Sequence, residues 1–256
     1  MPALRRFRYG VTMIELIVIV GLLLFLAALL LPAVSKVREA AARTQSMNNL
    51  KQLTLATINC AETNRGRLPP IAGKLQDQEG SLLFHLLPFI EQAPLFKEAK
   101  GHSWNVVRAV IPLYIDPQDV SSVDHLFENA FATTSYAGNW LDFKDGSNRY
   151  PASITDGTSN TMMFANRYQI CDKTPNAWAY SDIYTWTPMF AYYNLEKFQL
   201  TPTQANCDPK MTQSFGPVAV IGLCDGSVRS VSWAISDQTW RAMITPDGGE
   251  ILGADF

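Results

Sequence analysis

The chain has 256 residues, 47% hydrophobic and 17% charged, with 21 basic and 23 acidic side chains and a formal net charge of −2. That is the composition of a folded chain, and a mildly acidic balance without a basic patch argues against a nucleic-acid partner. The four cysteines show neither a C-x-x-C pair nor a His-rich spacing, which argues against a zinc framework.

Residues 1–10 form a short basic leader with Arg5, Arg6 and Arg8. Val11 to Leu31 follows as an apolar segment whose one charge is Glu15. At ~1.5 Å per residue this segment extends roughly 31 Å as a helix, the thickness of a bilayer's hydrocarbon core. A carboxylate there costs up to about 2.5–3.5 kcal/mol at mid-bilayer and less near an end, so Glu15 is expected to have a use. A secretory signal has a shorter apolar region, about 7–15 residues, before a small-residue cleavage site. Ala33-Val34-Ser35 offers small residues, yet the run is too long and contains Glu15. A plain single-pass anchor leaves the Gly10-to-Glu15 spacing unexplained. Lys36, Arg38 and Arg43 beyond the run nearly balance the leader's arginines, so charge alone does not orient it.

Pro32 ends the apolar run, and a kink is expected there. Ala33 to Cys60 reads as a helix, with Val34, Val37, Ala41, Met47, Leu50, Leu53 and Ile58 at helical spacing. Gly66 and Pro69-Pro70 stop it. Span and stem together would extend about 75 Å, a fibre-forming shape. Beyond Ile71 the elements shorten. Ser81 to Leu87 predicts a helix capped by Ser81 and broken at Pro88, and Ser103 to Val110 predicts another. Asp156 to Thr161 is a turn into the apolar Met162 to Ala165. Pro217 to Leu223, Asp225-Gly226 and Ser227 to Trp233 predict a hairpin. Ser236 to Ile244 predicts a last helix before the Pro246-Asp247-Gly248-Gly249 turn. The fold class expected is α+β: a long N-terminal helix, membrane span plus amphipathic stem, packed on a small antiparallel β-sheet. Its parts are a leader (1–10), a transmembrane helix (11–31), a stem (32–66) and a globular domain (67–256).

The stretch Gly10-Val11-Thr12-Met13-Ile14-Glu15 with its basic leader and apolar run resembles the N-terminus of type IV prepilins and pseudopilins. One departure is Val11, where that family most often has Phe. The resemblance implies a pilin-like fold and a prepilin peptidase that cleaves after Gly10 and methylates the amine of Val11. It implies that Glu15 pairs with the terminal amine of a neighbouring pilin or pseudopilin subunit. It also places the leader in the cytoplasm, the helix in the inner membrane and the remaining domain outside. Further blocks are Asn48 to Leu53, Arg67 to Pro70, Leu87 to Gln92, Ser135 to Asn139, Asp156 to Thr161, Asp225 to Val228 and Asp247 to Glu250. In this order they resemble a large bacterial family of prepilin-type proteins with a C-terminal H-x9-D-G signature. Three departures stand out: Phe215 where the signature has His, Asn166 where Glu is usual, and Asp116 in place of Cys before Pro117. Loss of a His and a carboxylate together suggests that positions 215 and 166 touch. The apolar neighbourhood of Phe215 predicts a buried core residue.

No catalytic motif marks a nucleophile with its base, so no enzyme activity and no cofactor are expected. His85 falls on an apolar helix, and His102 and His125 in polar loops. Asp142, Asp145, Asp156, Asp225 and Asp247 could supply oxygen ligands to calcium, but Asp-Gly pairs are common turn formers and no metal site is expected. The four cysteines allow three complete pairings. Cys171 and Cys207, which flank an aromatic-rich stretch, are the candidate disulfide, and Cys60 and Cys224 read as buried thiols. The function expected is that of a structural pseudopilin-like or minor-pilin-like subunit of a type II secretion or type IV pilus-like assembly. The alternative is a membrane-tethered extracytoplasmic binding module, with Trp178, Tyr180, Tyr184, Trp186, Phe190, Tyr192 and Tyr193 as a recognition surface. Such aromatics more usually build a core.

Overall fold

The computed structural model describes residues 12–256, so Gly10 and Val11 lie outside it. Two compact units divide the chain, Met1–Ala41 and Ala42–Phe256, and helix α1 (Met13–Thr63) contributes to both. Within the first unit α1 is continuous through Pro32, and the described large apolar side chains from Met13 to Val37 are exposed. Among the described residues no helix is long and apolar enough to cross a membrane. The expected span begins at Val11, and the side chains at positions 27 and 29 within it also lie outside the description.

The second unit takes in residues 42–63 of α1. Leu50, Leu53, Ala56, Thr57, Cys60 and Ala61 recur every three or four residues and form its buried stripe. A hairpin of β1 (Ala72–Leu75) and β2 (Gln78–Ser81) follows, then α2 (Leu82–Leu86) and α3 (Ala93–Glu98). Ser81 caps α2 by accepting from Phe84 N at 3.2 Å, as expected from its hydroxyl before an apolar run. Ser103–Val106 forms only a 3-10 turn. β-branched Val106, Val107 and Val110 and the nearby Pro112 disfavour the longer helix expected.

A ribbon of β3 (Leu126–Phe127) and β4 (Phe131–Ala132) precedes β5 (Tyr136–Asn139), α4 (Trp140–Phe143) and β6 (Met162–Asn166). Next come the ribbon β7 (Ile170–Cys171) and β8 (Thr174–Pro175), then β9 (Met189–Phe190), then β10 (Gln199–Leu200) paired with β11 (Gln213–Ser214). The chain closes with β12 (Val218–Leu223), β13 (Val228–Ser232) and α5 (Asp237–Ile244). The hairpin predicted around Asp225-Gly226 is the β12–β13 pair: Gly226 takes φ +84 and Asp225 Oδ1 accepts from Ser227 N. Ser236 caps α5 through Thr239 N.

The main sheet has the order β13-β12-β6-β5-β9. It is mixed and not wholly antiparallel, because β9 pairs parallel to β5. A hairpin forces antiparallel pairing, whereas β9 returns after a long excursion that leaves its direction free. Along β12 the faces alternate: Ala219, Ile221 and Leu223 join a cluster with Trp240 and Met243 of α5, while Val220 joins the cluster of Leu50, Leu53, Phe84, Phe164 and Trp178. β12 is thus covered by α1 on one side and α5 on the other, a three-layer α+β arrangement with four small ribbons beside it. Gly222 sits where α1 crosses, and a Cβ there would stand 2.6 Å from Thr54 Cγ2.

Candidate functional site

Glu15 occupies the third position of α1, where Thr12 precedes the helix. Thr12 N and Thr12 Oγ1 both donate to Glu15 Oε2 at 2.8 Å, and Glu15 N donates to Thr12 Oγ1 at 3.3 Å. This is a reciprocal capping box that satisfies donors left over at a helix start. The T-x-x-E spacing was legible in the sequence, and it gives Glu15 a local partner in addition to any partner on another chain.

Of the three departures from the signature family, Asn166 and Asp116 meet, and Phe215 lies apart from them. Asn166, buried in β6, donates from Nδ2 to Asp116 Oδ2 at 2.9 Å and accepts from Val220 N at 3.0 Å. Asp116, also buried, accepts in addition from Ser46 of α1 and from Gln118 N. Phe215 is half-buried, not a core residue, and stacks on Tyr168 with ring centroids 5.4 Å apart. It lines a cavity of about 230 Å³ with Gln118, Ser121, Tyr168 and Gln204. The contact inferred between positions 166 and 215 is replaced by one between Asn166 and Asp116. Phe215 borders solvent because β11 ends at Ser214, ahead of the buried part of β12.

Around Asp116 lies a polar network with no cationic side chain among its described hydrogen-bond partners. Asp119 Oδ2 accepts from Ser135 Oγ and Gln169 N, and Tyr136 Oη accepts from Asn49 Nδ2. Burial pushes Asp116 up to about 6, with Asp119 adding repulsion, and burial raises Asp119 too. The network ties α1 to the sheet through side chains 46, 116 and 166.

Cys171 and Cys207 are disulfide-bonded, 36 residues apart, and Cys60 and Cys224 are free and buried. Between the bonded pair, the aromatics divide. Trp178 and Phe190 are buried, while Tyr184, Tyr192 and Tyr193 are exposed. Tyr180 and Trp186 join Trp104, Phe127 and Phe131 in a continuous cluster of edge-to-face and tilted contacts with centroids 5.5–5.8 Å apart. The loop beneath is held by Arg167, itself buried, which donates to the carbonyls of Thr185, Thr187 and Met189. Sequence reasoning missed Arg167, since an isolated arginine after a strand carries no local signal. The segment is also pinned by Ser81 Oγ to Trp178 O and by Ser103 Oγ to Ala179 O.

The remaining candidates have local roles. His85 is buried with Nε2 3.1 Å from Gly73 O, and burial brings it down to about 4. Burial pushes the nearby Cys60 thiol up to about 12, so neither group is poised for nucleophilic chemistry. His102 caps the turn at Trp104, and His125 Nδ1 lies 2.9 Å from Gln169 Oε1. Asp145 and Asp225 accept from the backbone two residues on, and Asp156 accepts from Gly248 N and Gly249 N. Asp142 is buried against the Cys224 thiol, and burial holds it well above the usual carboxylate range. No group of three or more His, Cys, Asp or Glu side chains among the described residues is placed to hold a metal ion.

No curated protein and no solved structure matches the chain. Residues 35–109 match a family model described as "Protein of unknown function (DUF1559)". That interval includes the blocks Asn48 to Leu53, Arg67 to Pro70 and Leu87 to Gln92, and over it the chain is similar to this family.

Proposed function

We propose that this chain is a structural pseudopilin-like or minor-pilin-like subunit, anchored in the inner membrane by residues 11–31 and able to enter a type II secretion or type IV pilus-like assembly. The observation that carries the reading is the Gly10-to-Glu15 spacing at the head of an apolar run, Leu16 to Leu31, without a charged side chain. The described large apolar side chains of this run are exposed, and they need lipid or neighbouring helices to cover them. The Cys171–Cys207 bond supports an oxidising location for the globular domain. A prepilin peptidase would cleave after Gly10, and Glu15 would exchange part of its bonding to Thr12 for a neighbour's terminal amine at Val11. In a low-dielectric setting such a pair relieves an otherwise isolated carboxylate.

N-terminal sequencing of membrane-extracted protein tests the processing step. A start at Val11 supports it, and a start at Met1 or after Ser35 refutes it. Glu15→Ala should leave insertion intact and impair assembly, and normal assembly of this variant would remove the pairing role.

A second reading is a membrane-tethered module that uses the pilin-like N-terminus for export alone. It is favoured by the aromatic face, whose supporting loop is fixed from beneath by Arg167. Cross-linking in membranes separates the two: stem-to-stem adducts support assembly, and a lone monomer supports the module.

A further inference from the structure

Beside the aromatic face lies a cleft of about 440 Å³, lined by Phe127, Ile170, Asp172, Lys173, Gln204 and Ala205. That volume is within the ~300–1,000 Å³ range of small-molecule sites. We infer that this cleft binds a saccharide, with Phe127 as the stacking wall and Asp172, Lys173 and Gln204 as the hydroxyl partners. The inference is independent of how the chain is anchored or assembled, since an assembled subunit and a lone module would both present the cleft.

The walls are preorganised. Asp172 and Lys173 form the two-residue turn between β7 and β8, both in the left-handed region, with φ 42 and φ 64. That is the backbone a tight two-residue hairpin turn requires, which Asp accepts readily and Lys less so. The turn is tied across the cleft by the Cys171–Cys207 bond and by Asp172 N donating to Gln204 O at 2.9 Å. Gln204 is fixed in turn, because its Nε2 donates to Ser121 O at 2.9 Å. Among the described residues no donor bonds its Oε1, which can serve as an acceptor. Asp172 and Lys173 are both exposed and belong to none of the ion pairs among the described residues.

The chemistry of the lining selects the ligand class. A wholly apolar ligand would strip water from Asp172 and Lys173 without replacing it. A polyanion would meet the Asp172 carboxylate. A sugar ring presents C–H groups on one face and hydroxyls at its edge, which suits an aromatic wall with a carboxylate, an amide oxygen and an ammonium at its rim. Phe127 also packs edge to face on Trp186, 5.5 Å away, so the wall runs on into the half-exposed rings of Phe131, Tyr180 and Trp104. That continuity fits an oligosaccharide better than a single unit.

The test uses the full-length chain in mild detergent with three soluble probes, chitotetraose, cellotetraose and mannotetraose, followed by calorimetry and tryptophan emission. At least one probe should bind saturably with Kd in about the micromolar-to-millimolar range and alter the emission. Asp172→Asn, a surface change, should weaken binding by about tenfold or more by removing a charged acceptor. Phe127→Leu keeps apolar volume but loses the flat ring and should weaken it similarly. Absence of binding by all three probes at about 10 mM, well above a millimolar Kd, overturns the inference. Binding that is unchanged in both variants overturns it equally.

Discussion

Between about pH 7 and about pH 5 the Asp116 carboxyl should add to the stability of the globular domain as it takes up a proton, against the opposing contribution of buried His85, and Asp116→Asn should remove the Asp116 part. Burial pushes Asp116 up to about 6, whereas the unfolded chain offers a carboxyl near about 3.9. Between these values the native state holds the extra proton. The contribution is therefore fully present below about 3.9 and lost as pH rises through about 6. The whole effect is worth about 3 kcal/mol, of which about 1 kcal/mol falls between about pH 7 and about pH 5, or roughly 2–4 °C in melting temperature. Asp119 and Asp142 are shifted in the same direction and His85 in the opposite one, so the difference between the parent and variant profiles, and not either profile alone, reports Asp116 together with its repulsion from Asp119. Asparagine has a second cost. Asp116 Oδ2 accepts from Ser46 and Asn166 while Oδ1 accepts from Gln118 N, and one amide carbonyl cannot serve both sides. One donor then loses its partner, at about 1–3 kcal/mol. The variant should be less stable than the parent at both pH values, with the gap narrower at the higher one. Thermal melts of the full-length chain in mild detergent, read by near-ultraviolet circular dichroism across this window, provide the assay. Parallel pH profiles for the two proteins would refute the assignment of the proton to Asp116.

Gly222→Ala places a Cβ 2.6 Å from Thr54 Cγ2 and should cost about 1–3 kcal/mol, with Thr54→Ser in the same chain recovering part of it. A neutral single variant in denaturant unfolding would mean that α1 does not press on β12 there. Replacing Cys171 and Cys207 by serine opens a loop with ends 36 residues apart and should lose about 3–4 kcal/mol in the chain-entropy model. Non-reducing peptide mapping of the parent that finds both thiols free would contradict the bond. Phe215→His and Asn166→Glu should be additive within about 0.5 kcal/mol, because Phe215 packs on Tyr168 while Asn166 bonds Asp116 and Val220. A melt of the double variant showing strong rescue would restore the direct contact expected from the signature family.

Where neighbours in sequence decide a conformation, the residues alone were sufficient. Ser81 and Ser236 announce helix starts because a hydroxyl reaches the amide three residues on. Asp225-Gly226 announces a hairpin because glycine tolerates φ +84 and aspartate bonds the next turn amide. The apolar run along 218–223 is likewise local, a strand buried on two faces. Tertiary structure decided the rest. Asp116 was notable in sequence only as a departure, and its partners Ser46 and Asn166 lie 70 and 50 residues away, so no spacing could signal the network. The parallel placement of β9, the buried Arg167 beneath the aromatic loop and the cleft between residues 127, 172 and 204 have the same origin. Each is fixed by chain segments that meet only once the core has closed, where burial and hydrogen-bond satisfaction, and not local propensity, select the partner.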